Sequence, residues 1–216
     1  YNNDKATLDC FRGSFLNDYD IVLIITHCGK YSTRWTGILS TTLFTGEKMD
    51  PQKLSKLTFL EQNAIASVSG KKFGKSETYF GVTVPWFKVT TSDGKFPNSW
   101  IFIVACRSLP ENYYTSTSLS STFLELGAEG YNGFNSELNS IIGNYIMLKM
   151  TKLFCSGLSF HDASEEVRKD STFADLSWVI RIIYKDIIQE SDINSFKNIQ
   201  RNTIPFFLFN PNLPPS

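Results

Sequence analysis

Trp100 to Ser108 reads WIFIVACRS. Four apolar residues of high strand propensity, Ile101, Phe102, Ile103 and Val104, run into the small Ala105, and Cys106, Arg107 and Ser108 follow. An uninterrupted apolar run of this kind predicts a strand buried on both faces, as in a parallel sheet covered by helices. Sheets of that class meet their ligands at the carboxyl ends of the strands, which is where Cys106 emerges. A second stretch has the same form. Asp20 to Gly29, DIVLIITHCG, carries His27 to the end of another apolar run. A cysteine and a histidine, each at the tip of a buried strand, are the residue types that a thiolate–imidazole dyad needs once the fold brings them together. The plain alternative for Cys106 is an inert core thiol, since free cysteine is among the most buried residue types. For His27 it is a hydrogen-bonded histidine at a strand end.

Around these two strands the chain alternates between strand and helix signals. Ala6 to Leu16 reads as a short helix or turn-rich segment. The stretch after His27, CGKYSTRWTGILSTTLFTGEKMD, is rich in Gly, Ser and Thr and reads as a site-building loop with a short strand within Trp35 to Phe44. Asp50 and Pro51 are a cap and a first helical residue, which predicts a helix from Pro51 to Leu60. Ala64 to Val68 is strand-like. The basic segment from Gly70 lacks the spacing of a phosphate-binding loop and reads as a solvated loop. Thr78 to Thr91, with Pro85 inside it, reads as a hairpin or edge strands. Beyond Cys106, Ser118 caps a helix to Leu126, Tyr131 to Phe134 is a short strand, and Asn135 to Asn139 is a polar loop leaving it. Ile141 to Phe154 and Phe160 to Lys169 are helical, the second capped by Ser159. Leu176 to Gln189 is amphipathic, and Pro205 to Phe209 is a closing strand. The alternation predicts an α/β three-layer sandwich with a mostly parallel sheet flanked by helices and a hairpin insertion, in one domain over residues 1–216.

Bulk properties narrow the function classes. The 216 residues are 42% hydrophobic and 14% aromatic, enough for a real core and against disorder. Lys plus Arg equals Asp plus Glu, so no global basic field exists to hold nucleic acid. No apolar stretch approaches the length needed to span a bilayer. Cys10, Cys28, Cys106 and Cys155 are widely spaced and only two histidines are present, which argues against a zinc site and against a disulfide scaffold. Cys10 and Cys155 read as structural thiols, and His161, beside Asp162, as a surface residue. The chain starts at Tyr1 without an initiator Met or a signal-peptide pattern and reads as a processed form or a fragment, truncated at its N-terminus.

The order of these blocks resembles the caspase-like cysteine peptidases, the superfamily of caspases, legumain, clostripain, gingipains and separase. Its signature is an apolar strand ending in His-Gly, then an apolar strand ending in a small or acidic residue and Cys. DIVLIITHCG is similar to the first block and IFIVACRS to the second. STFLELGAEGYNGFN, SGLSFHDASEE and FFLFNPNLP are similar to later blocks of the gingipain-like bacterial branch. The chain departs from the pattern in placing Cys28 between His27 and Gly29, and in lacking a recognisable strand upstream of Asp20.

The resemblance implies a cysteine endopeptidase with Cys106 as nucleophile and His27 as proton donor to the leaving amine. It implies backbone N–H groups of Cys28 and Gly29, together with that of Cys106, as oxyanion donors. No metal or cofactor is implied. The substrate is a polypeptide, with Asn135, Ser136 and Glu137 as pocket residues. A bacterial member of this kind is expected to be secreted or periplasmic, and a propeptide or upstream segment is expected before Tyr1. The competing reading is an inactive caspase-like domain used for protein interaction. A doubly wound small-molecule domain would need a Gly-rich strand-to-helix turn, and none is present.

Overall fold

The computed structural model describes residues 5–34, 37–72, 75–91, 96, 99–109, 118–134, 140–170 and 206–209. A 3-10 turn (Leu8–Phe11) and one helical turn, α1 (Gly13–Leu16), precede β1 (Ile21–Ile25) and β2 (Cys28–Ser32). The chain continues through β3 (Leu39–Lys48), α2 (Pro51–Lys56), α3 (Phe59–Asn63), β4 (Ile65–Lys72), β5 (Lys75–Thr83) and α4 (Val84–Thr90). Next come β6 (Trp100–Val104), α5 (Leu119–Glu125), β7 (Gly130–Gly133), α6 (Ser140–Cys155), α7 (Phe160–Lys169) and β8 (Phe206–Phe209). The described strands form two sheets of order β1-β6-β7-β8 and β2-β3-β5-β4.

In the first sheet β1, β6 and β7 are parallel and β8 is antiparallel to β7. The register aligns Ile21 with Trp100 and Ile25 with Val104. The run that looked buried on both faces is so: Ile101, Phe102 and Ile103 are wholly inaccessible and Val104 nearly so. Alternate residues feed two cores. Val22, Ile24, Ile101, Ile103 and Tyr131 face the helical segments that contribute Leu8, Phe11, Leu16, Trp86, Phe87 and Phe123. Phe102, Val104 and Phe134 face Ile142, Ile146, Met147 and Met150 of α6 and Val167 of α7, with Ile21, Leu23 and Trp100 packed alongside. Helices therefore cover both faces of the parallel strands.

The second sheet is entirely antiparallel. It joins the first through two residues, Thr26 and His27. The Thr26 N–H donates to Val104 O (3.1 Å), so this residue still belongs to the β1–β6 ladder. His27 O accepts from Phe44 N–H (3.0 Å), so this residue already belongs to the β2–β3 ladder. In an extended chain successive residues direct their backbone groups to opposite sides. The one continuous segment from Ile21 to Ser32 thus bonds β6 on one side and β3 on the other. The Thr26 hydroxyl fixes the crossing by donating to Phe44 O at 2.6 Å. The N-terminal segment closes over β3: Gly46 N–H donates to Ala6 O, Leu8 N–H to Glu47, and Arg12 pairs with Asp9 and Glu61.

The α/β class is as expected, but the sheet is not mostly parallel. Three of the described strands are mutually parallel, and the expected hairpin insertion is a four-stranded antiparallel sheet. The stretch after His27, expected to be a loop with one short strand, holds β2 and the whole ten-residue β3. Its threonines suit both a polar loop and a strand, because threonine is also a good strand former. Their hydroxyls are satisfied inside the sheet, as Thr42 donating to Ser40 O (3.1 Å) and Thr45 to Phe80 O (2.8 Å) illustrate. The basic segment from Gly70 is not a free loop: it finishes β4, and β5 resumes at Lys75. Pro85 does not sit in a hairpin but at the start of α4, where its missing N–H has no helical partner to lose. The expected helix from Pro51 to Leu60 is two, broken at Leu57, and Thr58 opens α3 with a full capping box to Glu61. The helices capped by Ser118 and Ser159 begin where those caps predict, and the helix expected from Ile141 to Phe154 is α6. The amphipathic stretch Leu176 to Gln189 lies outside the described residues.

The crossing gives a stability test. Thr26→Val keeps the shape but leaves Phe44 O without its hydroxyl donor, and is expected to lower unfolding free energy by about 1 kcal/mol. Thr26→Ser keeps the donor and is expected to lose less. Urea melts that give both variants the wild-type midpoint would remove the hydroxyl from the set of interactions that fix the crossing.

Candidate functional site

His27 and Cys106 each stand two residues beyond the aligned pair Ile25 and Val104. Because β1 and β6 are parallel neighbours, both residues leave the sheet at the same, carboxyl, end. His27 is exposed and Cys106 half-buried. Among the described residues the His27 side chain has no hydrogen bond or ion pair, so no carboxylate orients its ring and it is not bonded to Cys106. What holds it is its backbone and the Phe44 ring, with ring centroids 6.1 Å apart. Phe44 is in turn packed edge-on by Tyr31 at 5.4 Å. Phe44 therefore grips this junction three times, through its N–H to His27, its carbonyl to Thr26 and its ring against the imidazole.

Cys106 stands in a tight turn. Ser108 N–H donates back to Ala105 O at 3.3 Å, which makes Cys106 and Arg107 the two central residues. Arg107 has φ of 51°, the one positive value among the described non-glycine residues. A positive φ at the third residue of a turn is the type II pattern, usually left to glycine. An arginine there carries a steric cost of about 1–2 kcal/mol, which persists because the turn is anchored from below. Ser108 is buried; its hydroxyl donates to Ile103 O (3.3 Å) and accepts from Phe134 N–H (3.0 Å). The Tyr131 hydroxyl donates to Ser108 O (2.8 Å), and Leu109 N–H to Phe134 O (2.9 Å). The turn that presents Cys106 is thereby tied to the end of β7. Gly133 is needed beneath it, since a Cβ there would lie 2.8 Å from Ser108 Oγ.

The two expected oxyanion donors behave differently. In the β2–β3 register Cys28 faces Leu43 and Gly29 faces Thr42. Since His27 O accepts from Phe44 N–H, the pair Gly29–Thr42 is the next hydrogen-bonded one. The Gly29 N–H is thus directed into the ladder and away from any substrate. The Cys28 N–H points to the opposite side, the same side from which Thr26 reaches Val104. Cys28 is thus left as the donor facing the tip of β6.

The Cys28 side chain turns the other way, against the first core. Burial pushes its thiol up to about 12, the neighbouring Cys106 sulfur adds to the rise, and nearby backbone groups of Thr42 and Gly29 offset part of it. Tyr131, wholly buried, is raised well above the ordinary tyrosine value by burial first and by Cys28 second, against the Ser108 hydrogen bond. Cys28, Cys106 and Tyr131 therefore share one small region beneath and around the turn.

Asn135, Ser136 and Glu137 lie outside the described residues; they follow Phe134 as the chain leaves β7 at the end that carries Cys106. His161 falls in α7 and Cys155 at the end of α6. Cys10 is in the N-terminal turn, where its thiol donates to Lys5 O at 3.4 Å. Among the described residues no group of three or more His, Cys, Asp or Glu side chains could hold a metal ion, and no helix is long and apolar enough to cross a membrane. Four contributors to the site escaped sequence reading: Thr26, Phe44, Ser108 and Tyr131. The serine two residues after the cysteine was the one available signal, as a small polar residue suited to closing a turn. No protein-family model, curated protein or solved structure matches this chain.

Two measurements check this geometry. A thiol near 12 is ionised to only about 10⁻⁵ at pH 7, so Cys28 should resist iodoacetamide at neutral pH while Cys106 is modified. Alkylation of Cys28 should rise with pH, and peptide mass spectrometry that finds Cys28 modified first at pH 7 would contradict its burial. Separately, Ser108→Ala strands the Phe134 N–H and should cost about 1–3 kcal/mol in chemical denaturation; an unchanged midpoint would mean the turn is not held this way.

Proposed function

We propose that this chain is a caspase-like cysteine endopeptidase domain that uses Cys106 and His27 as a dyad. The observation that carries this reading is the β1–β6 register, which supports a shared position for both residues at one end of a helix-covered parallel sheet. The helices on both faces of β1, β6 and β7 are compatible with the caspase-like sandwich, and the antiparallel sheet is then an elaboration between its two key strands. In this scheme the Cys106 sulfur, as thiolate, attacks the peptide carbonyl carbon. The carbonyl π electrons move to oxygen, and the oxyanion takes hydrogen bonds from the Cys28 and Cys106 backbone N–H groups. His27, as imidazolium, gives its proton to the amine as the C–N bond breaks, leaving an acyl-enzyme thioester. Water then attacks the thioester, His27 takes the proton, and the thiolate departs. Neither a metal nor a cofactor enters these steps. The resemblance assigns the side-chain pocket to Asn135, Ser136 and Glu137, which follow Phe134 in the sequence.

A second reading, an inactive domain of the same fold used for protein interaction, is favoured by the cysteine in place of glycine after His27 and by the lack of a bond between His27 and Cys106. The two readings separate cleanly. For the enzyme, a diverse peptide library is cleaved, Cys106→Ala lowers turnover about 10³-fold or more, and His27→Ala lowers it by roughly 10²–10⁴. A peptide carrying an electrophilic carbonyl forms its adduct on Cys106. A folded wild-type chain that cleaves nothing and forms no adduct supports the interaction domain, and an adduct on Cys28 overturns the assignment of the nucleophile.

A further inference from the structure

Gly29 has no part in the dyad: its N–H is directed into the β2–β3 ladder. It is also not among the described glycines of positive φ, which are Gly37, Gly127 and Gly157. Neither an oxyanion contact nor its backbone conformation accounts for a glycine here, but its surroundings do. A Cβ on Gly29 would lie 2.8 Å from Cε2 of Tyr31 and 3.4 Å from Cδ2, so the Tyr31 ring occupies the place of a side chain at 29. His27, Gly29 and Tyr31 are alternate residues of one extended segment and share one of its faces. Phe44 joins them on that face, because it stands opposite His27 in the continued β2–β3 register. Tyr31 is four residues from His27, roughly 13 Å along an extended strand. Its ring nevertheless packs edge-on against Phe44 at 5.4 Å, with 70° between the planes, and Phe44 packs against His27 at 6.1 Å. Tyr31 bridges that span by lying back along the strand over Gly29, a known way of covering a strand glycine with an aromatic ring.

We propose that Tyr31 and Gly29 are positioning residues for His27, acting through Phe44. This rests on the reading of His27 as the proton donor to the leaving amine. The imidazole is exposed and has no hydrogen bond or ion pair among the described residues, so the backbone fixes its root and leaves its χ1 free. Several staggered wells are open to an unrestrained side chain, and the ring contact with Phe44 selects among them. Phe44 is itself half-buried, and the Tyr31 ring against it holds it toward His27. Tyr31 can lie there only because residue 29 has no side chain. The dependence runs from Gly29 to Tyr31, then to Phe44 and to the imidazole. None of the three touches a reacting atom. A ring kept in one rotamer delivers its proton without first having to be ordered. The glycine two residues after the histidine thus has a packing role, separate from the N–H that Cys28 supplies to the oxyanion.

The test reads the His27 side chain directly. Its Hα–Hβ couplings are measured by NMR on the full chain, with His161→Gln assigning the two histidines. The wild-type couplings are expected to report one χ1 rotamer. In Phe44→Leu, Tyr31→Ala and Gly29→Ala they are expected to move to the averaged values of a freely rotating side chain. Tyr31→Phe keeps the ring and is expected to keep the wild-type couplings. On a cleaved peptide, Tyr31→Ala and Gly29→Ala are expected to lower kcat roughly 10–100-fold with KM changed by less than about twofold, and Tyr31→Phe to recover most of that loss. If Phe44→Leu does not fold, the other two variants decide. Averaged couplings in the wild type, or couplings that stay unmoved in both Tyr31→Ala and Gly29→Ala, overturn the inference, as does a lost rotamer with undiminished kcat. A wild-type rotamer that is lost in the variants, in a chain that cleaves no peptide, supports the ring contacts and sinks the peptidase reading alone. Cys106-dependent cleavage with unmoved couplings sinks the positioning role alone.

Discussion

One extended segment, Ile21 to Ser32, belongs to two sheets, and its change of bonding partner between Thr26 and His27 is the constraint on which the rest depends. Even-numbered residues up to Thr26 bond β6 and odd-numbered residues from His27 bond β3. No bulge is required, because the pleat already directs neighbouring residues to opposite sides. The consequence is a histidine whose backbone is fixed by antiparallel pairing within one residue of parallel pairing. Each backbone bond contributes a net of about 0.5–1.5 kcal/mol, so the position is over-determined without any bond to the imidazole itself. The ring is left exposed beside Phe44, positioned from its root and open at its nitrogens.

The cysteine is presented by a different device. β6 is buried from Ile101 to Val104, and the chain leaves it through a turn whose third residue, Arg107, is in the left-handed region. Strain of this kind survives only when the surroundings outweigh it. Here they do so through Ser108, which is bonded on its hydroxyl, its N–H and its carbonyl, and through Tyr131 below it. A glycine at 107 would relax the turn and loosen it at the same time, since glycine has more freedom to lose on folding. The arrangement places a half-buried thiol at a corner, not along a strand, so the sulfur is separated from the packed residues that precede it.

The two strands and their end residues were legible because continuous apolar runs are a strong and local signal. Their parallel pairing was legible from the alternation with helices. The antiparallel sheet was not, because β2 and β3 hide their alternation behind glycine, serine and threonine, and those hydroxyls bond within the sheet instead of marking loops. Pro85 was misplaced for a related reason: proline is excluded from central strands and welcome at helix starts, and sequence alone offers both. Of the anchors of the turn, Ser108 carries a local signal in its place two residues after the cysteine, whereas Tyr131 acts on it across 23 residues of chain and nothing local distinguishes it from an ordinary core tyrosine. Phe44 acts on His27 across the antiparallel ladder, a pairing with no local mark in the sequence.

Cys28 shows how a departure from a motif is to be weighed. A glycine after the histidine offers a backbone N–H and no side chain. At this position the backbone and the side chain point to different places: the N–H toward the tip of β6, the sulfur into the core that Tyr131 shares. The donor that a glycine would supply is therefore retained, and the added side chain fills space beneath the turn without crossing the approach to Cys106 from outside. Its burial holds it as a thiol, so at rest it is no rival nucleophile.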